Sequence, residues 1–329
     1  MEAGKPQHEY ITVETLFAEN KKRLRLTLMS KRNRFDKKIT DKELHRPGLA
    51  LAGYVDLFTF ARVQVCGNTE ATYLKQLTPA QREKTLRQVF QFDIPCFIVT
   101  SEYDMVPEFA VLADECGISV FRTPFPTTKL IQLLHDYLDE KFAPLSHIHG
   151  SMVDVYGVGV LITGRSGIGK SEVALDLISR GHPLVADDVV PVVRRSGGAL
   201  IAQVNETLQY HMEIRGLGII DIHAMFGIRG IRKQKKLEVQ VELVDWDGAQ
   251  KYERLGIQEM TCEILKEKVT LVRLPIYPGK NISMIVEVIA LNQRLKSFGY
   301  NAALEFEEML TRKMRGQEPL PTQLDHTLE

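Results

Sequence analysis

One octapeptide limits what this chain can fold into more than any other stretch: Gly164-Arg165-Ser166-Gly167-Ile168-Gly169-Lys170-Ser171. It fits GxxxxGK[ST], the phosphate-loop pattern, and that pattern requires a strand before it and a helix after it. Both are legible. Val158-Gly159-Val160-Leu161-Ile162-Thr163 is an apolar, β-branched run of strand length. From Ser171 to Arg180, residues Val173, Ala174, Leu177 and Ile178 recur on one side of a helix, and Glu172, Asp176 and Arg180 fall on the other. Glycines let such a loop wrap a polyphosphate with its N–H groups pointing inward, and the helix turns its positive end toward the same charge. Lys170 is then placed to reach the outer phosphates and the Ser171 hydroxyl to ligate Mg²⁺.

A second constellation is Leu184-Val185-Ala186-Asp187-Asp188-Val189-Val190, with a carboxylate 17 positions beyond Lys170. Neighbours on a regular strand face opposite sides, so both carboxylates serve one site only at a strand end or turn. One would hold Mg²⁺, through water, and the other would take a proton from an incoming hydroxyl. The sequence leaves open which does which.

Glu213-Ile214-Arg215-Gly216-Leu217-Gly218 is a third cluster, readable as a metal ligand with a phosphate contact or as a solvated ion pair. His149, one of nine histidines, is either a phosphate contact or an ordinary structural histidine. Arg254 offers a separate charge clamp, and Arg229, Arg232, Lys233, Lys235 and Lys236 form either a guide for an acidic partner or a solvated face.

Upstream, helix and strand signals alternate. Thr12 caps a short helix, Leu24, Leu26 and Leu28 alternate as a strand, and 41–45 reads as a helix or turn before a tight connection at Pro47-Gly48. Helices at 78–90, 106–116 and 128–142 alternate with strands at 96–100 and 118–121. The expectation is an α/β protein of two domains: an amino-terminal α/β domain over 1–143, a catalytic phosphate-loop domain over 144–316, and a loose tail over 317–329. Downstream, 237–244 alternates as a half-buried strand, 282–292 is apolar, and a last helix over 292–315 is broken near Gly299.

Composition excludes some classes. Lysine plus arginine equals aspartate plus glutamate, 42 of each, which gives no general support for nucleic-acid binding. The four cysteines form no CxxC pair, so neither a zinc site nor a disulfide framework is readable, and buried, reduced thiols are expected. No run approaches the roughly 20 apolar residues that span a bilayer. A soluble cytoplasmic protein, without membrane or nucleic-acid partners, is expected.

With these residues in place the sequence resembles the bacterial HPr kinase/phosphorylase family over nearly its whole length. The likeness is carried by His149-Gly150, the loop through Ser171-Glu172, Arg180-Gly181-His182 leading to Ala186-Asp187-Asp188, Glu213 to Gly218, Arg254-Leu255-Gly256, and Pro275 to Asn281. Lys280 stands where the family often has arginine. The resemblance implies a nucleotide-binding core like that of phosphoenolpyruvate carboxykinase, assembled as a homohexamer. It implies transfer of phosphate from ATP or pyrophosphate to a serine of HPr, the phosphocarrier of the sugar phosphotransferase system. It implies the opposite reaction too, phosphorolysis by inorganic phosphate with release of pyrophosphate, and a place in carbon catabolite repression and sugar uptake. By the same likeness Asp187 is the acid–base group and Asp188 helps position the metal. Ser171 and Glu213 hold Mg²⁺, His149 and Arg254 contact phosphate, and HPr docks on the basic 229–236 run and a neighbour's last helix. The rivals are a small-molecule kinase, a nucleotide-sensing regulator that transfers nothing, and a DNA-binding regulator using Lys31-Arg32-Asn33-Arg34.

Overall fold

The computed structural model describes residues 5–30, 34–100, 104–205, 209–246, 260–277 and 279–314. The chain divides into two compact units, one over Pro6–Pro144 and the other formed chiefly by Leu145–Glu329.

The first unit is built on a sheet in the order Thr27–Leu28, Ser119–Thr123, Cys96–Thr100, Val63–Cys66, Leu44–His45. All pairings are parallel except that of Thr27–Leu28, which is antiparallel. Parallel strands covered on both faces need no polar alternation, and Cys96–Thr100 is accordingly buried at every position. Phe97 and Val99 face a cluster with Leu86, Phe90 and Phe109, while Cys96 and Ile98 face Leu16, Leu130 and Leu134 on the other side. Local signals set the helix starts. Thr78 caps Pro79–Phe90 with proline in its first turn, and Gln81 reaches back to the Thr78 N–H, a reciprocal capping box.

Three local readings are corrected here. Leu44–His45 is a strand beside Val63–Cys66 rather than a helix or turn. Pro47 starts a short helix, Gly48–Leu51, rather than a bare connection. Leu24 and Leu26 are buried but lie in a turn that continues off the helix Val13–Asn20, because their N–H groups donate to Asn20 and Lys21 carbonyls and Arg25 adopts φ 50°. Of the alternating leucines only Leu28, which is exposed, lies in a strand, Thr27–Leu28.

The second unit has a six-stranded sheet in the order Leu184–Ala186, Ser151–Val155, Val158–Gly164, Val239–Asp245, Glu267–Ile276, Met260–Ile264. The strand that carries the phosphate loop runs parallel to Val239–Asp245, which runs parallel to Glu267–Ile276. Val160 and Ile162 face the helices Lys170–Ser179 and Ile282–Ser297 through Leu177, Ile178 and Val286, whereas Leu161 faces a second sheet. Four strands of that sheet run in the order Pro144–His149, Val189–Arg194, Leu200–Gln203, Gln234–Lys236, with the two-residue strand Lys5–Pro6 at the edge beside the first. Burial on both faces explains why the strand read as a continuous apolar run. The final helical region breaks at Phe298-Gly299, giving Ile282–Ser297 and Ala302–Met314, so the first of these runs past Asn292. Among the described residues no helix is long and apolar enough to cross a membrane.

The cysteine expectation is corrected in part. All four are free, but only Cys66 and Cys96 are buried; Cys262 is half-buried and Cys116 exposed.

Candidate phosphoryl-transfer site

The phosphate loop turns off the end of its strand at the carboxyl edge of the parallel strands, where open α/β sheets place ligands. Gly167 adopts φ 76° and Gly169 φ 102°, both in the left-handed region that favours glycine. Gly167 is also crowded: a Cβ there would come within 2.6 Å of the Arg215 guanidinium, so that side chain lies across the loop. Arg165 leaves the loop on the other side and pairs in bidentate fashion with Asp245, at 2.6 and 2.9 Å. Lys170 Nζ donates to the carbonyls of Gly164 and Arg165 at 3.2 and 3.1 Å.

Asp187 and Asp188 fall at a strand end. Leu184–Ala186 stops, the chain turns through Asp188 at φ 64°, and Val189–Arg194 starts in the other sheet. Two hydrogen bonds hold the corner: Val189 N–H to the Asp187 carbonyl at 2.8 Å and Gly150 N–H to the Asp188 carbonyl at 3.1 Å. The two carboxylates part company there. Asp187 is buried and Asp188 exposed. Ser171 Oγ donates to Asp187 Oδ2 at 2.9 Å, and Ser151 Oγ donates to Oδ1. Burial raises the Asp187 carboxyl above the ordinary aspartate range; the two serine hydroxyls pull it back and the Asp188 charge pushes it up further.

Glu213 and Arg215 arrive on a hairpin, His211–Ile214 paired with Gly218–Asp221. Together with Ser171, Asp187 and Asp188 they line a cavity of about 360 Å³ over the loop. His149 lines a second cavity, of about 590 Å³, with Gly164, Arg165 and Asp245, and its backbone pairs with Val189 beside the acidic corner. Arg254 falls outside the described residues.

The basic run separates in the same way. Arg232 forms an ion pair with buried Asp154, and Lys235 Nζ stands 3.5 Å from the same carboxylate. Those two cations offset a buried charge, though Arg232 stays as exposed as Arg229, Lys233 and Lys236 are. Sequence reasoning passed over Ser151 and Asp245. The one available signal for Ser151 is that it is the polar first residue of a strand whose only other polar residue is Asp154.

Among the described residues no group of three or more His, Cys, Asp or Glu side chains is gathered to hold a metal. The cavity instead offers the serine hydroxyls of Ser166 and Ser171 and separate carboxylates, all hard oxygen donors. That set fits Mg²⁺, which keeps waters and substrate phosphates in its shell rather than occupying an all-protein cage.

Fold and cavity together define a phosphate-loop protein with a buried carboxylate at the phosphate site. Two family models cover nearly all of the described chain: HPr Serine kinase N terminus over residues 11–138 and HPr Serine kinase C-terminal domain over 140–310. A protein of Chloroherpeton thalassium named HPr kinase/phosphorylase is 50% identical over 92% of this chain and 90% of its own length. One of the same name from Chlorobaculum tepidum is 48% identical over 87% of this chain and 85% of its own. The solved Hpr(Ser) kinase/phosphatase from Coxiella burnetii is 34% identical, with a TM-score of 0.45, covering 50% of this chain and 99% of its own. The chain belongs to the HPr kinase/phosphorylase family.

Proposed function

We propose that this protein phosphorylates a serine of HPr with ATP, or with pyrophosphate, and dephosphorylates phosphoseryl-HPr by phosphorolysis. The observation that carries the reading is the Ser171–Asp187 hydrogen bond, which puts a desolvated carboxylate against the first turn of the phosphate-loop helix. Binding a nucleotide needs no such base, so the contact favours transfer over sensing.

In the kinase direction the HPr serine oxygen attacks the terminal phosphorus, its proton passes to Asp187, and ADP leaves. In the other direction an oxygen of inorganic phosphate attacks the phosphoryl group, the serine P–O bond breaks, and Asp187 returns the proton to the serine oxygen as pyrophosphate forms. Microscopic reversibility demands that one group serve both. Lys170 and the loop N–H groups bind the donor phosphates, and Arg215 lies where charge develops. Mg²⁺, held by Ser171 and Glu213 with Asp188 beside them, would neutralise phosphate charge. His149 and Arg254 contact phosphate in this reading. HPr docks along 229–236, with Arg229, Arg232, Lys233 and Lys236 as its exposed cations, in a cytoplasmic homohexamer that regulates sugar uptake and carbon catabolite repression.

The test is mass spectrometry of HPr with this protein, Mg²⁺ and ATP, then of phosphoseryl-HPr with inorganic phosphate. Gain of one serine phosphate, then its loss with stoichiometric pyrophosphate, is the expected result. No change in either reaction while nucleotide still binds overturns it in favour of a small-substrate kinase or a sensor.

A further inference from the structure

Asp187 has two hydroxyl partners, and they differ in kind. Ser171 is half-buried at the start of the phosphate-loop helix, facing the cavity that the phosphates would fill. Ser151 is fully buried and opens the strand Ser151–Val155, its backbone paired with Ile162 of the loop strand. The next residue, Met152, pairs with Ala186, the last residue before the acidic corner. Gly150, just before it, donates to the Asp188 carbonyl. Ser151 therefore sits on a backbone locked to both the phosphate loop and the acidic corner, and its hydroxyl reaches Asp187 from inside the protein.

From this arrangement we propose that Ser151 is a positioning residue for the acid–base carboxylate. Its hydroxyl holds Oδ1 of Asp187 and so aims Oδ2 into the cavity at the reacting hydroxyl. The inference rests on Asp187 being that acid–base group. A carboxylate that shares one oxygen with a rigid donor keeps the other oxygen in a single direction, even when Ser171 turns its own hydroxyl toward a bound ligand. Without Ser151, Asp187 has freedom to rotate about its terminal torsion, and the proportion of productive encounters falls. Ser151 touches neither donor nor acceptor, so its loss acts on turnover and not on binding.

The experiment compares S151V with S151T in the full chain. The two side chains have the same shape, fill the same buried space and differ only in the hydroxyl. S151A serves in the same role should the added methyl of both prevent folding, which thermal unfolding would reveal. The expected outcome is a roughly tenfold or greater fall in kcat for S151V in both directions, short of the roughly 10²–10⁴-fold that a general acid–base group contributes in full. KM for HPr and the Kd for Mg-ATP stay near wild type, and S151T recovers most of the turnover. Wild-type kcat in S151V or S151A overturns the proposal. So does an S151T as slow as S151V, or a loss of turnover matched by an equal loss of nucleotide affinity. D187N separates the two layers of the argument. If D187N turns over normally, Asp187 is not the base and the positioning role falls with it. If D187N is inactive while S151V is not, the base stands and only the positioning role is lost.

Discussion

At the scale of single residues, the behaviour of this site turns on how one carboxylate is partitioned between burial and hydrogen bonding. Asp187 is removed from water, which favours its neutral form, and the Ser151 and Ser171 hydroxyls offset part of that effect. D187N keeps the shape, with one serine hydroxyl turning to accept from the new NH2, but cannot take a proton. Kinase and phosphorolysis rates should each fall by about 10²–10⁴-fold, the usual contribution of a general acid–base group, with Mg-ATP affinity retained in equilibrium titration. The pH dependence has a definite sign. Because burial raises the Asp187 pKa in the ligand-free protein, kcat/KM of the kinase reaction, which needs the ionised form, falls as pH drops through a value above the ordinary aspartate range. A kcat/KM profile whose acid limb lies within the ordinary range would contradict this. For stability the sign is opposite: a carboxyl with a raised folded pKa favours the fold below its unfolded pKa, and that contribution is lost as pH rises through the folded value. The residue types at this site were readable in advance, since GxxxxGK[ST] and adjacent aspartates are chemical signatures. Which aspartate is buried was not, because it depends on a corner whose φ of 64° at Asp188 is held by a hydrogen bond from Gly150, 38 positions earlier.

At the scale of elements, the two units show different kinds of specification. Helix starts in the first unit are local. Thr78, Pro79 and Gln81 carry the cap within four residues, so T78A should cost about 1 kcal/mol in urea denaturation of the protein, a typical capping loss. The strand before the phosphate loop is specified from afar. A Cβ at Gly159 would meet the Lys236 carbonyl oxygen at 1.8 Å, a backbone atom that cannot swing aside. Gly159 also exchanges hydrogen bonds with Glu238, donating to its carboxylate and accepting from its N–H. G159A should therefore destabilise the protein by about 3 kcal/mol or more, at the upper end of overpacking penalties, and weaken nucleotide binding by displacing the loop strand. Wild-type thermal stability in G159A would refute the close approach. Strand Cys96–Thr100 and helix Pro79–Phe90 were legible in the sequence to within a residue because burial and caps act locally. Leu44–His45 was not: two residues pair as a strand only because Val63–Cys66 lies beside them.

At the scale of the whole molecule, the last two helices leave apolar surface uncovered. Met284, Val288, Leu291 and Leu295 recur at spacings of four, three and four along Ile282–Ser297, and each is between 42% and 57% exposed. Helix Ala302–Met314 has no buried residue at all. An apolar seam of that spacing suits packing against another helix. The protein should elute and scatter light as an assembly larger than one chain, sixfold on the family reading, and a double V288E/L295E substitution should shift it to smaller species while the far-ultraviolet circular dichroism is kept. A monomeric wild type would remove this face from the interface. By itself, the sequence determined the phosphate loop with its flanking strand and helix, the acidic pair, the two-domain α/β class and the family, since these depend on residue type at short spacing. Only the tertiary structure decided that Asp187 lies inside and Asp188 outside. It alone set Ser151 and Ser171 on opposite oxygens of one carboxylate, and tied Arg232 and Lys235 to buried Asp154. The physical reason is distance along the chain: those contacts join residues 16 to 81 positions apart, and no local preference encodes a partner so remote.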